Sequence, residues 1–132
     1  MPGKYGSGRG RGRMRRGKMR HVRRFLEPCL LLLLQLGEAH GYKLVSELER
    51  FGFDPETLDP SLVYRALRDM EQMTWIRARL DEDSQGPPRR VYALSDEGEV
   101  QLAAWMQDLR RTKDDIHRLL QIYENEQEEA DG

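Results

Sequence analysis

Residues 59–94 have the clearest secondary-structure pattern in the chain and read DPSLVYRALRDMEQMTWIRARLDEDSQGPPRRVYAL. This stretch opens with Asp59, a favourable N-cap, and Pro60, which suits the first position of a helix. The apolar residues that follow keep helical spacing and form a single stripe: Val63, Ala66, Leu67 and Met70. The sequence therefore predicts a helix that begins at Pro60 and runs to about Met73.

The second half of this stretch has the two-residue period of a β-hairpin. Ile76, Ala78 and Leu80 alternate with charged residues, which is the pattern of a half-buried strand. Residues 84–88, Ser-Gln-Gly-Pro-Pro, form the predicted tip, and residues 89–94 return as the second strand. A basic, two-stranded hairpin thus follows directly on the helix.

The predicted helix also carries a polar stripe opposite its apolar one. Its hydroxyl, phenol and guanidinium groups suit hydrogen bonds to base edges and phosphates: Ser61, Tyr64, Arg65 and Arg68. An ordinary solvated face is the common alternative for such a stripe. The hairpin favours the nucleic-acid interpretation, because Arg89 and Arg90 at its base suit phosphate or minor-groove contact.

A first helix is predicted from about Val22 to Leu36, and Gly37 ends it. Its apolar residues, concentrated at 29–34, cover nearly the whole circumference. A helix that is apolar all round is buried on all sides. In so small a chain, a partner subunit is the simplest source of the second layer.

A second helix is predicted from about Tyr42 to Arg50, and residues 52–58 form a linker. Three helices followed by a hairpin have the order of a winged helix-turn-helix. Residues 22–95 are therefore predicted to form one DNA-binding domain, mainly α with a small two-stranded β wing.

A long last helix is predicted from Asp96 to about Tyr123, with Ser95 as its cap. Its apolar positions alternate in steps of three and four, which is typical of a coiled-coil seam. A helix of this length, about 40 Å, overhangs a small winged domain, so we expect residues 96–124 to form a dimerisation helix. The predicted dimer interface comprises Leu30, Leu33, Leu102, Trp105, Leu109, Ile116, Leu119 and Tyr123.

Charge is divided sharply along the chain. Residues 1–24 carry ten basic residues and no acid, which leaves 12 basic and 23 acidic residues for the remainder. Residues 1–21, rich in Arg and Gly, are predicted to form a disordered basic tail, and residues 125–132 a disordered acidic one. Ten charges exceed what solubility needs, so the basic tail is expected to contact phosphates through Arg9, Arg11, Arg13, Arg15 and Arg16.

Several function classes are disfavoured by the same residues. The three histidines, His21, His40 and His117, fall in separate predicted elements, and no catalytic constellation, cofactor site or metal site can be assembled. The single cysteine, Cys29, is expected to be a small buried hydrophobe in a protein of the reducing cytoplasm. The apolar run at 29–34 is well short of the roughly 18 residues that span a membrane.

Three motifs in order resemble the PadR family of transcriptional regulators: residues 40–42 (His-Gly-Tyr), 61–67 (SLVYRAL) and 89–98 (RRVYALSDEG). The single C-terminal helix resembles the family's shorter subgroup. The resemblance implies a homodimeric repressor that binds a palindromic operator on double-stranded DNA and is released by a small molecule or another signal.

The resemblance also implies roles for particular residues. The DNA face would comprise Tyr42, its neighbour Lys43, Ser61, Tyr64 and Arg65, with Arg89 and Arg90 in the wing. His40 and Gly41 resemble a structural entry to the second helix. An effector pocket in some short members corresponds to the region of Trp105, Met106 and Leu109, for which plain dimer core is the alternative.

The chain departs from the family pattern between the third helix and the wing, where Met73-Thr74-Trp75 replaces the usual glycine. If the turn keeps its conformation, Thr74 takes a positive φ against its β-branched preference. If it does not, the wing takes another orientation. Asp59-Pro60 also replaces the more usual entry to the helix, so specificity should differ.

Two other interpretations stay open. The chain could be a nonspecific nucleoid-associated or RNA-binding protein that uses its Arg/Gly-rich tail. It could also be an adaptor that kept the fold and lost DNA binding, against which Arg65, Arg68, Arg89 and Arg90 argue. Sequence preference discriminates between the first of these and a regulator, since a regulator prefers its own site by about 10³ or more.

Overall fold

The computed structural model describes residues 13–83 and 85–131. Within them the chain is mainly helical, with one small sheet, and has the predicted winged-helix order. The elements are α1 (Arg13–Leu36), β1 (Ala39–His40), α2 (Gly41–Glu47), α3 (Pro60–Gln72), β2 (Ile76–Asp81), β3 (Arg89–Leu94) and α4 (Asp96–Asp131). A short 3-10 turn, Leu48–Phe51, continues α2.

The sheet has three antiparallel strands in the order β1-β3-β2, one more than predicted. β2 and β3 form the wing, with Ile76 opposite Leu94 at its base and Asp81 opposite Arg89 towards its tip. Arg89 and Arg90, predicted at the base of the hairpin, therefore lie next to its tip, because they are the first residues of the returning strand. The additional strand, β1, pairs Ala39 with Tyr92. The predicted two-stranded wing is confirmed, and β1 adds a strand that was not predicted because a two-residue strand carries no periodic signal of its own.

The core forms around α1, which contacts α2, α3, α4 and β3. Leu30 and Leu31 are completely buried there, and Leu33 and Leu102 are nearly so. The second layer that α1 requires is therefore supplied by the chain's own elements. Leu30, Leu33 and Leu102 of the predicted dimer interface have their side chains covered within one chain.

Both long helices extend beyond their predicted ends. α1 begins at Arg13 and not at Val22, and α4 continues to Asp131 through the segment predicted to be disordered. Arg, Lys, Glu and Gln are all good helix formers, so a charged segment without apolar periodicity is compatible with a helix. Residues 1–12 of the predicted basic tail lie outside the described residues.

The turn between α3 and β2 is tied to the start of α4. Thr74 has a φ of 64°, so the turn keeps the strained conformation. The Ser95 backbone N–H donates to the Trp75 carbonyl, and the Ser95 hydroxyl donates to the Thr74 carbonyl at 2.6 Å. The same hydroxyl accepts from the backbone N–H of Gly98, which caps α4 as predicted.

Gly98 permits this close approach. A Cβ at this position would lie 2.0 Å from the carbonyl oxygen of Trp75, a backbone atom that cannot move aside alone. Gly37, in contrast, has open space around the position of a Cβ. The first turn of α4 can therefore rest on the α3–β2 turn only while residue 98 is glycine.

Gly98→Ala should lower the free energy of unfolding by about 3 kcal/mol, the upper range for overpacking a tight site. Gly37→Ala is the matched control and should change it by less than about 0.5 kcal/mol. Urea denaturation followed by circular dichroism measures both. Equal stability of the two variants would show that α4 does not depend on this contact.

α1 and α3 also bring two carboxylates together. Partial burial, followed by the negative charge of Asp69 on α3, raises the pKa of Glu27 on α1. The folded chain thus holds the Glu27 proton more tightly than the unfolded chain. Stability is lost as pH rises from the ordinary glutamate pKa through the raised value, and above that value the charged form destabilises the fold.

Glu27→Gln should therefore raise the melting temperature at pH 7, because it removes the partly desolvated charge. The difference from wild type should shrink as pH falls below the ordinary glutamate pKa, where Glu27 is protonated in both states. Glu49→Gln, at an exposed position, is the control. A destabilised Glu27→Gln variant at pH 7 would contradict this assignment.

Candidate nucleic-acid interface

The outward face of α3 presents the predicted polar stripe. Ser61, Tyr64, Arg65 and Arg68 are all exposed, while Val63, Leu67 and Met70 are completely buried on the opposite side. The sequence-predicted residues are thus on one face of one helix.

The N-terminus of α3 is held by Asp59, as the sequence predicts. Its Oδ1 accepts from the Ser61 backbone N–H at 3.0 Å and from the Ser61 hydroxyl at 2.8 Å. These two hydrogen bonds, with the nearby charge of Arg65, lower the pKa of Asp59. The hydroxyl proton of Ser61 is consequently used within the cap, which leaves its oxygen free to accept.

Gly41 joins α2 to this face. A Cβ at Gly41 would lie 2.6 Å from Cε1 of Tyr64, so the Tyr64 ring lies directly against the first residue of α2. Tyr42 and Lys43, the next two residues, are exposed beside it. Glycine in the His-Gly-Tyr motif thus allows the Tyr64 ring to rest against the start of α2 without a shift of that ring.

Arg89 of the wing contacts Tyr42 at the start of α2. Its guanidinium carbon lies 5.2 Å from the centre of the Tyr42 ring, a cation–π arrangement. The His40 ring stacks on Tyr42, with 5.4 Å between ring centres. Arg89 of the wing thus contacts Tyr42, and Tyr64 of α3 lies against Gly41, the residue before Tyr42.

His40 has the structural role that the resemblance implied. Its Nε2 lies 2.9 Å from Oδ2 of Asp81 at the far end of β2. This hydrogen bond is the main reason that the pKa of Asp81 is lowered. Within the described residues, no three His, Cys, Asp or Glu side chains are grouped so as to hold a metal ion.

Arg90 is placed differently from its neighbour. Its Nη2 donates to both carboxylate oxygens of Glu71 in the last turn of α3, at 2.7 and 2.8 Å. Its guanidinium also lies 5.8 Å from the centre of the Tyr92 ring. Hydrogen bonds with Tyr92 and Glu71 raise the pKa of Arg90. Arg90 thus has two partners in its own chain, Glu71 and Tyr92. The contact with Glu71 could not be predicted from the spacing of residues in the sequence.

Residues 30–104 match the family model described as the transcriptional regulator PadR-like family. The chain belongs to this family. A probable transcriptional regulator of Mycobacterium tuberculosis is 33% identical over 81 residues, which cover 61% of this chain and 43% of the relative. The chain thus spans less than half the length of that curated relative.

Solved structures of PadR-like regulators have the same fold. One from Bacillus cereus superposes with a TM-score of 0.66 at 28% identity and covers 77% of this chain and 97% of its own. Bacillus subtilis PadR in complex with operator DNA superposes with a TM-score of 0.54 at 25% identity, covering 61% of this chain and 46% of its own.

This PadR-like chain has a second uncovered surface, along α4. Trp105, Met106 and Leu109 are half-buried, and the indole N–H of Trp105 is buried without a hydrogen-bond acceptor in the described part of the chain. From Lys113 onward every described residue of α4 is exposed. Leu119 and Tyr123 of the predicted seam are 66% and 60% exposed, and Ile116 is half-exposed.

Part of α1 also belongs to this surface and was not predicted from the sequence. Phe25, Cys29 and Leu32 are only partly buried and Leu36 is exposed, at the spacing of one helix face. Burial raises the pKa of the Cys29 thiol to about 11. This face could not be identified from the sequence, because the apolar run at 29–34 places apolar residues on every side of the helix. Such a pattern does not indicate which side packs against the rest of the chain.

The predicted tail residues are separated by the start of α1. Arg9 and Arg11 lie outside the described residues, and Arg13, Arg15 and Arg16 fall in the first turns of the helix. Among the helices that are described, none is both long and apolar enough to cross a membrane.

Proposed function

We propose that this chain is a dimeric, sequence-specific DNA-binding regulator of transcription in the cytoplasm, a repressor that a small molecule or another signal releases. The observation that carries the proposal is that the start of α2 contacts both the wing, through Tyr42 and Arg89, and the exposed face of α3, where Tyr64 lies against Gly41. The operator complex of Bacillus subtilis PadR, 25% identical, supports DNA as the partner.

In this proposal α3 enters the major groove by its N-terminal end. Arg65 and Tyr64 then contact base edges, and Ser61 accepts a hydrogen bond through its free lone pairs. Lys43 of α2 and Arg68 contact phosphates on one side, and Arg89 contacts the backbone next to the wing. The Arg-rich N-terminal segment adds affinity without sequence preference.

A dimer of this kind would be formed by the half-covered face of α1 and the seam of α4. Exposed apolar side chains at three- and four-residue spacing are costly in water and are covered when a second helix packs on them. The stripe comprises Ile116, Leu119, Leu120 and Tyr123, next to the partly buried Trp105, Met106 and Leu109. Two-fold symmetry then presents two α3 helices to a palindromic operator.

An effector would act at the inner end of this seam. The buried indole N–H of Trp105 is a hydrogen-bond donor without an acceptor in the described part of the chain, and the half-buried Met106 and Leu109 follow it on the same helix. A flat apolar molecule with one acceptor would satisfy it. Such a molecule would release DNA only if it bound better to a dimer whose two α3 helices are spaced wrongly for the operator.

DNA binding should be tested with the fragment upstream of the chain's own gene and a scrambled fragment of equal length, at physiological salt. We expect a preference of about 10³ for the upstream fragment. Arg65→Ala should reduce that preference by about 10- to 100-fold, because it removes a base contact. Arg110→Ala, an exposed arginine on α4, is the matched control and should retain it.

The N-terminal segment is tested by changing Arg9, Arg11, Arg13, Arg15 and Arg16 together to Gln. Because glutamine keeps the chain length and helix propensity, only charge is lost. Binding to both fragments should weaken equally, and the slope of log affinity against log salt should fall by up to about 4. If the variant instead lost its preference for the upstream fragment, the result would favour a nonspecific nucleoid-associated or RNA-binding protein. The N-terminal segment would then be its main contact with nucleic acid.

Dimerisation is tested by Leu119→Glu, which places a charge in the proposed seam. The variant should sediment as a monomer and lose most of its affinity for the palindromic site. Gln121→Glu introduces the same group on an exposed polar position of the same helix and should stay dimeric. A dimeric Leu119→Glu variant would show that α4 does not form the interface.

A further inference from the structure

We propose that Glu71 and Arg90 form a clamp that sets the angle between α3 and the wing, so that Arg90 is a positioning residue and Arg89 is the wing's DNA contact. The inference rests on the proposed function and assigns different roles to two adjacent arginines. Its basis is the pair of hydrogen bonds from Arg90 Nη2 to the Glu71 carboxylate.

The clamp contacts the hairpin far from its base, so it restricts rotation of the hairpin effectively. The wing leaves α3 through the turn at Thr74, and its base is the pair of Ile76 and Leu94. Arg90 lies four residues beyond that base, about 13 Å along the strand. A contact at this distance restricts rotation of the hairpin about its base far more than one beside the turn.

The two arginines face opposite sides of the hairpin, because successive strand residues alternate. Arg90 shares its side with Tyr92, which is buried in the core, and its guanidinium contacts Glu71 at the end of α3. Arg89 is opposite Asp81 and lies against Tyr42 at the N-terminus of α2. One strand therefore cannot present both guanidiniums to the same phosphate backbone.

Charge also separates their roles. A phosphate that approached Arg90 would meet the Glu71 carboxylate, which already occupies the guanidinium with two hydrogen bonds. An ion pair as exposed as this one contributes little to folding stability. Its loss should consequently appear in the angle of the wing and in DNA affinity, with almost no change in melting temperature.

The test exchanges the two charges. Glu71→Arg and Arg90→Glu should each weaken binding to the preferred fragment by about tenfold, within the range of coupling between contacting residues. The double variant Glu71→Arg/Arg90→Glu restores an ion pair of reversed polarity and should return to within about threefold of wild type. The control pair Asp108→Arg/Arg111→Asp on α4 should leave binding unchanged.

A second measurement does not depend on DNA. Spin labels at Gln72 and Gln85, both exposed, report the distance from the end of α3 to the wing tip. They are placed in a Cys29→Ala background, and labelled subunits are diluted with unlabelled ones. The distance distribution should broaden in each single variant and narrow again in the double variant.

The outcomes are distinguishable. If the double variant binds no better than Arg90→Glu and its distances stay broad, Arg90 is not held by Glu71 and the clamp is wrong. If its distances narrow but its binding stays lost, Arg90 itself contacts DNA and the division of roles is overturned. If wild type shows no preferred fragment and Arg65→Ala changes nothing, the proposed function fails, while the distances still decide whether the clamp exists.

Discussion

The architecture depends on one close approach, where the first turn of α4 rests on the carbonyl of Trp75 with no side chain between them. Gly98 makes room for the contact, and Ser95 bridges it through its backbone N–H and its hydroxyl. Ser95 hydrogen-bonds to both Thr74 and Trp75. The turn that precedes the wing and the turn that precedes α4 therefore form one unit. The direction of the wing and the direction of the long helix are therefore set together.

That shared unit links the two surfaces for which we propose functions. α4 packs against the core near Leu102 and then leaves it, so its outer half, about 28 Å from Thr112 to Asp131, has no cover within the described residues. In the proposed function, the hydrogen bonds of Ser95 are the link between α4 and the turn that leads into the wing.

Charge is arranged at two scales. Across the chain, the basic residues of the N-terminal segment and the acids of the remainder give a net charge of −1 that conceals both. Locally, Asp59, Glu71 and Asp81 lie beside Ser61, Arg90 and His40 and occupy their hydrogen-bonding groups. Among the described residues, no such carboxylate occupies the guanidiniums of Arg65 and Arg68 on α3, so these are the side chains best able to bind phosphates and bases.

Elements with local signals could be predicted from the amino-acid sequence. Asp59 and Pro60 mark the start of α3, alternation marks the first strand of the wing, and Thr74 in place of glycine identified the strained turn. Tertiary structure decided which side of α1 is buried, because an apolar run is equivalent on all sides until neighbours choose among them. It also decided the partner of Arg90, which lies 19 residues away and becomes a neighbour only when the hairpin folds back onto α3. Periodicity and capping act within a few residues, whereas the pairing of side chains across elements depends on the angles at which those elements pack.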